Sequence, residues 1–390
     1  MKSLFITTLL ALFAAAGPFA AAQSAVIPAP PQVAAQAYLL VDAHTGAVLV
    51  EHNADLPLPP ASLVKMMTAY VLAGEIESGR VNADDLVTVS RNAWSQNPVF
   101  AGSSLMWIEP GKPVSIRELE YGIIISSGND ATVAVAEHLA GSEAAFAEMM
   151  NSYAQALGMH SSHFVNSHGL PAEGQVVTAR DLAKLSAAMI NDFPEHYALY
   201  REREFTYNNI RQYNRNSLLG EDSTVDGIKT GFTRESGYCL VASAERNGMR
   251  LISVVLGTRS PTVRKNETRG LLNYGFRFYE TASLFEPEQI LAEPRLWKGV
   301  QDSVAVGVLD AAKVTLPRGQ REQLQTDMEL QSAVAAPISR GDSLGTVRLS
   351  LDGQLVFEAP LVALETVEQA GFFARVWDSI KMWISKLFSV

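Results

Sequence analysis

A single cysteine in 390 residues leaves this chain no internal disulfide and no cysteine-built metal site. Cys239 lies in the apolar run Tyr238-Cys239-Leu240-Val241-Ala242, where a thiol behaves as a small hydrophobe. Positive charge is also short. Lys and Arg number 31 against 41 Asp and Glu, a formal net charge of −10, which argues against a nucleic-acid partner. Beyond the first 22 residues no apolar run is long enough to span a bilayer, and no unit repeats along the chain.

What is present is ample core material, 47% of residues, over a length that suits two or three domains. Residues 1–22 read as a secretory signal: Lys2 supplies the charge, Leu4 to Ala16 the apolar stretch, and Ala20-Ala21-Ala22 the cleavage site. Cleavage before Gln23 is expected, with Ala25 as an alternative. The mature protein is then exported.

After a Pro/Ala-rich lead, Ala37 to Asp42 and Ala47 to Glu51 flank a Gly46 turn and read as a β-hairpin. Pro59-Pro60-Ala61-Ser62-Leu63-Val64-Lys65 then opens an apolar helix. Residues 90–116 are irregular and suit a flap over a site. Ile116 to Ile125 reads as a helix entering Ser126-Ser127-Gly128-Asn129, and Asp130 to Ala140 as the helix leaving it. Thr178 to Ile190 is helical, and Arg203 to Asn216 is strand-like. Tyr238 to Ala244 and Arg250 to Gly257 flank Asn247-Gly248, the strongest short hairpin signal. Leu271 to Tyr279 closes the unit as a helix. Strands that bracket a helical middle define an α+β domain with an antiparallel sheet. From residue 279 the texture becomes short alternating runs (Ser303 to Leu309, Lys313 to Leu316, Thr346 to Leu351, Gln354 to Glu358) with Gly and Asp turns, a small all-β domain.

Ser62 and Lys65 stand three apart, so on a helix the amine is within reach of the hydroxyl. Serine is a weak nucleophile until a base takes its proton, and a lysine can do so only with a depressed pKa. Burial against Leu63, Met66 and Met67, or a second cation, would depress it. An arbitrary Ser-x-x-Lys is ordinarily an N-capping serine beside a solvated lysine, so this pair gains weight only from its company. Lys229-Thr230-Gly231 occurs once. Of three Ser-x-Asn occurrences, at Ser90, Ser95 and Ser127, only Ser127-Gly128-Asn129 sits in a tight connection between apolar helices. His160, His163 and His168 cluster in sequence. Their spacings of three and five, on a segment broken by Asn166, Gly169 and Pro171, do not suit zinc, so no metal and no cofactor are expected.

The order Ser-x-x-Lys, Ser-x-Asn, Lys-Thr-Gly is the set of β-lactamases and penicillin-binding proteins. With its flanks (Asn53-Ala54-Asp55, Ala61-Ser62-Leu63, Asp226 to Gly231, Tyr274 to Phe278, Ile338 to Gly345, Gly371-Phe372-Phe373), the chain resembles the low-molecular-mass penicillin-binding proteins that act as D-alanyl-D-alanine carboxypeptidases. The resemblance covers the whole mature chain. It implies a β-lactamase/transpeptidase-like domain over residues 23–278, a β-sandwich domain over 279–367 and an amphipathic helix over 368–390. It further implies Ser62 as nucleophile, Lys65 as general base, Ser127 as proton relay and Asn129 as holder of Lys65 and the substrate amide. Lys229 is a second ammonium on an edge strand, and Thr230 binds the terminal carboxylate beside Gly231. The backbone N–H groups of Ser62 and Phe232 form the oxyanion hole. An arginine downstream also holds the carboxylate, and spacing from Lys229 favours Arg264 over Arg259. Some relatives carry histidine where this chain has Phe232, which bears on how fast the acyl-enzyme is hydrolysed. The implied partners are peptidoglycan stem peptides and β-lactams, at the periplasmic face of the inner membrane. The alternatives are a serine β-lactamase, for which the Glu-x-x-Leu-Asn segment of class A enzymes is missing, and a non-catalytic β-lactam-binding module.

At the far end, Phe373, Val376, Trp377, Ile380, Trp383, Ile384, Leu387 and Phe388 fall on one face of a helix over 372–390. Too short and polar to span, the helix suits the membrane interface, the competing reading being a helix docked on the β domain.

Overall fold

The computed structural model describes residues 27–388; the expected leader over residues 1–22 lies outside them. Strands β1 (Ala37–Asp42) and β2 (Val48–His52) form the first hairpin. A 3₁₀ turn, Ala61–Leu63, then carries Ser62 into α1 (Val64–Glu77). Eleven of the fourteen α1 residues are buried, on every face, so α1 is the axis of the domain and not a surface helix. A short ladder of β3 (Leu86–Thr88) and β4 (Pro113–Ser115) leads to α2 (Ile116–Tyr121).

The expected helix over 116–125 changes character at Gly122. A π turn over Gly122–Ser126 runs into Ser127, whose backbone is left-handed at φ 58°. Helices α3 (Asn129–Ala140), α4 (Glu143–Ala156), α5 (Ala179–Asp192) and the short α6 (Pro194–Tyr197) complete the helical cluster. The strand-like stretch is a small hairpin of β5 (Glu204–Tyr207) and β6 (Ile210–Tyr213), followed by the single turn α7 (Leu218–Glu221).

Three long strands follow: β7 (Val225–Thr233), β8 (Gly237–Arg246) and β9 (Met249–Thr258). They join the first hairpin in one antiparallel sheet of order β2-β1-β9-β8-β7, so the two ends of the domain meet at β1 and β9 and β7 is an edge. Helix α8 (Pro261–Phe278) packs on one face of this sheet and the helical cluster on the other. It starts ten residues before the expected Leu271. Ser260 caps it by accepting the Val263 N–H at 3.2 Å, and Pro261 occupies the first turn.

The remaining strands run from β10 (Tyr279–Phe285) to β18 (Gln354–Ala363). A five-stranded sheet, two two-stranded pairs and a separate apolar core centred on Val306, Val347 and Leu361 make an all-β unit. Of the run Ser303 to Leu309, only Val306–Gly307 forms a strand. Buried Asp42 joins the two units, accepting from the hydroxyls of Thr281 and Thr315 and from the His44 N–H. The last helix, α9 (Phe372–Phe388), rests on the β unit through Asp378, whose carboxylate accepts the Lys298 N–H at 2.8 Å. Phe373, Val376, Trp377, Ile380, Trp383 and Ile384 on α9 are all exposed.

Candidate active site

Pro60 and Ala61 bend the chain just before Ser62; Ala61 takes φ 50°, a left-handed conformation that is strained for alanine. The bend lifts Ser62 out of the helix axis while keeping Lys65 one turn behind it. Lys65 Nζ lies 3.4 Å from Ser62 Oγ. The amine also donates to Asn129 Oδ1 at 2.6 Å and to the carbonyl of His168. Asn129 is fixed in turn, its Nδ2 donating to Ser103 Oγ at 2.8 Å.

The left-handed Ser127 turns its hydroxyl away from α3 and towards β7. There Lys229 Nζ donates to Ser127 Oγ at 2.9 Å. Beneath this connection Asp130 accepts the N–H groups of Met106, Trp107 and Ile108, tying the 103–108 loop to the start of α3. On β7, Gly231 faces the Pro60–Leu63 segment so closely that a Cβ would meet Pro60 O at 3.1 Å. That contact sets the next residue, Phe232, beside the nucleophile turn. Its ring is half exposed and stacks on Tyr238 at 4.2 Å between centroids.

Ser62, Ser127, Asn129, Thr230, Gly231, Phe232 and Arg264 line one cleft of about 300 Å³, joined by Ser103, His168, Arg215 and Tyr238. Arg264 donates to the carbonyls of Gly231 and Cys239, while Arg259 is exposed and does not line the cleft. A larger groove of about 560 Å³ lies between the two units, beside His44 and Lys313, away from this chemistry. His160 and His163 are exposed, whereas His168 is buried at the cleft wall.

Two lysine amines and two guanidinium groups converge here, which sets the electrostatics. Burial first, then Lys229 and Arg215, push the Lys65 pKa well below the usual lysine range. Asp130 and Glu143 pull weakly the other way. Lys229 is lowered to about 7 by its own burial, with Arg215 and Arg264 adding to it. A buried amine of lowered pKa, held against a hydroxyl, has the chemistry a general base needs.

Arg215, Ser103 and the His168 carbonyl are the parts that sequence reasoning missed. Residues 90–116 carry a flap signal, but nothing local points from Ser103 to Asn129. Arg215 follows the β5–β6 hairpin and reaches the cleft only through the fold.

A serine paired with a buried amine of depressed pKa, across from a sheet-edge lysine that donates to a second serine, defines an acyl-transfer enzyme of the penicillin-binding class. The D-alanyl-D-alanine carboxypeptidase family matches residues 24–260, and the C-terminal domain of penicillin-binding protein 5 matches residues 279–369. The chain is 45% identical over 366 residues to D-alanyl-D-alanine carboxypeptidase DacC of Escherichia coli, covering 92% of each chain. It is 44% identical to DacA of the same organism, over 98% of this chain and 96% of that one. The structure of penicillin binding protein 5 from Haemophilus influenzae aligns with a TM-score of 0.83 at 40% identity, over 88% of this chain and 100% of that one. The chain belongs to the D-alanyl-D-alanine carboxypeptidase family of serine peptidases.

Proposed function

We propose that this protein removes the terminal D-alanine from peptidoglycan pentapeptide stems outside the cytoplasm, and that penicillins acylate the same serine. The observation that carries the reading is the contact of the Ser62 hydroxyl with an amine whose pKa burial pushes well below the usual lysine range. Ser62 Oγ attacks the carbonyl carbon between the two D-alanines and its proton passes to Lys65 Nζ. The backbone N–H groups of Ser62 and Phe232 hold the oxyanion, a contribution of roughly 3 kcal/mol per donor. As the C–N bond breaks, Ser127 gives its proton to the leaving amine and is reprotonated from Lys65, and D-alanine departs. Water then attacks the acyl-enzyme, its proton passing to Lys65 and from there to Ser62 Oγ as the shortened stem is released. Asn129 orients Lys65 and the substrate amide. Thr230 and Arg264, with buried Lys229 adjoining Thr230, bind the terminal carboxylate, a role that suits the cationic end of the cleft. A β-lactam follows the first half of this path, but its leaving amine stays tethered.

Residues 23–278 form the catalytic domain in this reading, 279–367 a β-sandwich support and 368–390 an anchor on the outer face of the cytoplasmic membrane. The exposed Phe, Trp and Ile face of α9, flanked by Arg375 and Lys381, supports the anchor. The helix meets the β domain with its polar side, at Asp378, which disfavours an apolar docking role.

The test is release of free D-alanine from a pentapeptide by the full chain, run beside labelling with fluorescent penicillin. Ser62→Ala is expected to lose both. A protein that rapidly destroyed penicillin without releasing D-alanine would be a β-lactamase instead.

A further inference from the structure

Lys65 is held on its far side by a turn of five residues that the reaction itself does not use. The carbonyl of His168 accepts from Lys65 Nζ, and one residue earlier the carbonyl of Ser167 accepts from Thr68 Oγ1 at 2.6 Å. Gly169 lies so close to the nucleophile turn that a Cβ there would fall 1.9 Å from Ala61 O. The Asn166–Leu170 turn is thus the wall against which the Ser62–Lys65 pair is set.

One carboxylate contacts this wall. Glu143, the first residue of α4, accepts the Ser167 N–H at 3.0 Å and the Ser167 hydroxyl at 2.7 Å. The same oxygen lies 3.4 Å from His168 Nε2. The other ring nitrogen, Nδ1, accepts the Leu170 N–H at 3.0 Å, so Nε2 carries the proton and points at the carboxylate. Burial, opposed by Glu143, lowers His168 to about 4, which keeps the ring in this acceptor state at working pH.

The geometry points to Glu143 as a positioning residue of the reaction, seating the His168 carbonyl on the Lys65 amine and setting the pH at which that amine is free to act. The inference rests on Lys65 being the base. The charged groups acting on Lys65 are Lys229 and Arg215, which favour its neutral form, and Asp130 and Glu143, which favour the ammonium. Those acting on His168 are Glu143 and Lys65. Asp130 is committed to three N–H groups of the 103–108 loop. Glu143, in contrast, can be neutralised by an isosteric amide that still accepts from Ser167.

The second-order rate of Ser62 acylation by a fluorescent penicillin, measured on the full chain from about pH 4 to 9, tests this. Glu143→Gln is expected to move the acid limb down by roughly half a pH unit, about threefold in rate on that limb, with the plateau kept within about twofold. An acid limb that superimposes on the wild type, or moves up, overturns the inference, whatever happens to the plateau. Should Glu143→Gln fail to fold, Glu143→Asp, which keeps the charge but sets it back by one methylene, must move the limb in the same direction by less. An unmoved limb overturns the inference there too. Lys65→Arg separates the two readings: if that variant still acylates at the wild-type rate, Lys65 is not the base and the functional reading falls first.

Discussion

Lys229 Nζ and Ser127 Oγ, 102 residues apart in sequence, meet at 2.9 Å across the cleft, and both groups are buried. The contact joins the edge strand to the left-handed turn before α3, opposite the Ser62–Lys65 pair. In the reaction proposed above, one lysine acts as base while the other supplies charge.

That division predicts a bell-shaped pH profile. Lys65 must be neutral, so activity falls as pH drops through its lowered pKa. Lys229 must be charged, so activity falls as pH rises past about 7, the value to which burial brings it. Lys229→Arg keeps its charge at all working pH and should lose the alkaline limb, with kcat/KM down by about 10-fold or more from altered geometry. An alkaline limb that persists in this variant assigns it to another group.

Lys65→Arg cannot deprotonate, so acylation by penicillin should drop by about 100-fold or more although the charge is retained. Mass spectrometry of the intact protein after timed exposure to penicillin reads this directly. Near-normal acylation removes the amine from the mechanism.

Gly169 has φ 87° and no room for a Cβ against Ala61 O. Gly169→Ala should cost about 1–3 kcal/mol of stability and slow acylation more than the loss of folded protein explains. Denaturant melts compared with acylation rates distinguish the two effects. A variant with wild-type acylation would show that the wall can shift without moving the nucleophile.

His196 sits between buried Glu120, 2.6 Å from Nδ1, and Glu77, and the Glu120 hydrogen bond raises its pKa above the ordinary value. A raised folded-state pKa stabilises fully below the unfolded value of about 6.5 and is lost as pH rises through the folded one. His196→Gln should therefore lower stability by about 1–3 kcal/mol at pH near 6 and by less in alkali. Parallel losses at both pH values would show that packing, not charge, is what His196 supplies.

A chain ending at Glu368 should stay folded and keep D-alanine release on small peptides, because the described apolar side chains of α9, Phe373 to Ile384, are exposed. It should no longer sediment with anionic vesicles. If it unfolds, or still binds vesicles, the anchor reading fails.

The legible parts of the site are those whose geometry is short-range. Ser62 and Lys65 meet because they are three residues apart, and Ser127 and Asn129 share one tight connection. The β7–β8–β9 sheet is legible from its apolar runs and from Asn247-Gly248. Arg215 and Ser103 carry no local mark: Arg215 acts on Lys229 across 14 residues and on Lys65 across 150, and Ser103 meets Asn129 across 26. Helix α8 was half hidden for another reason. Its first ten residues, from Pro261 to Gly270, are mostly polar or solvent-facing, so apolar periodicity begins only at Leu271. The Ser260-Pro261 start was the available signal.

Helix α1 is enclosed on all sides, and Ser62 stands at its lip. Backbone amides exchange with deuterium through openings whose cost follows local burial, and the most enclosed elements open only when the whole domain does. The amides of Val64 to Ala73 should then be among the last to exchange, while those of α9 exchange early. Partial unfolding that spares α1 would leave the serine and its amine together. Heat inactivation should accordingly track global melting of the catalytic domain rather than fraying at the site.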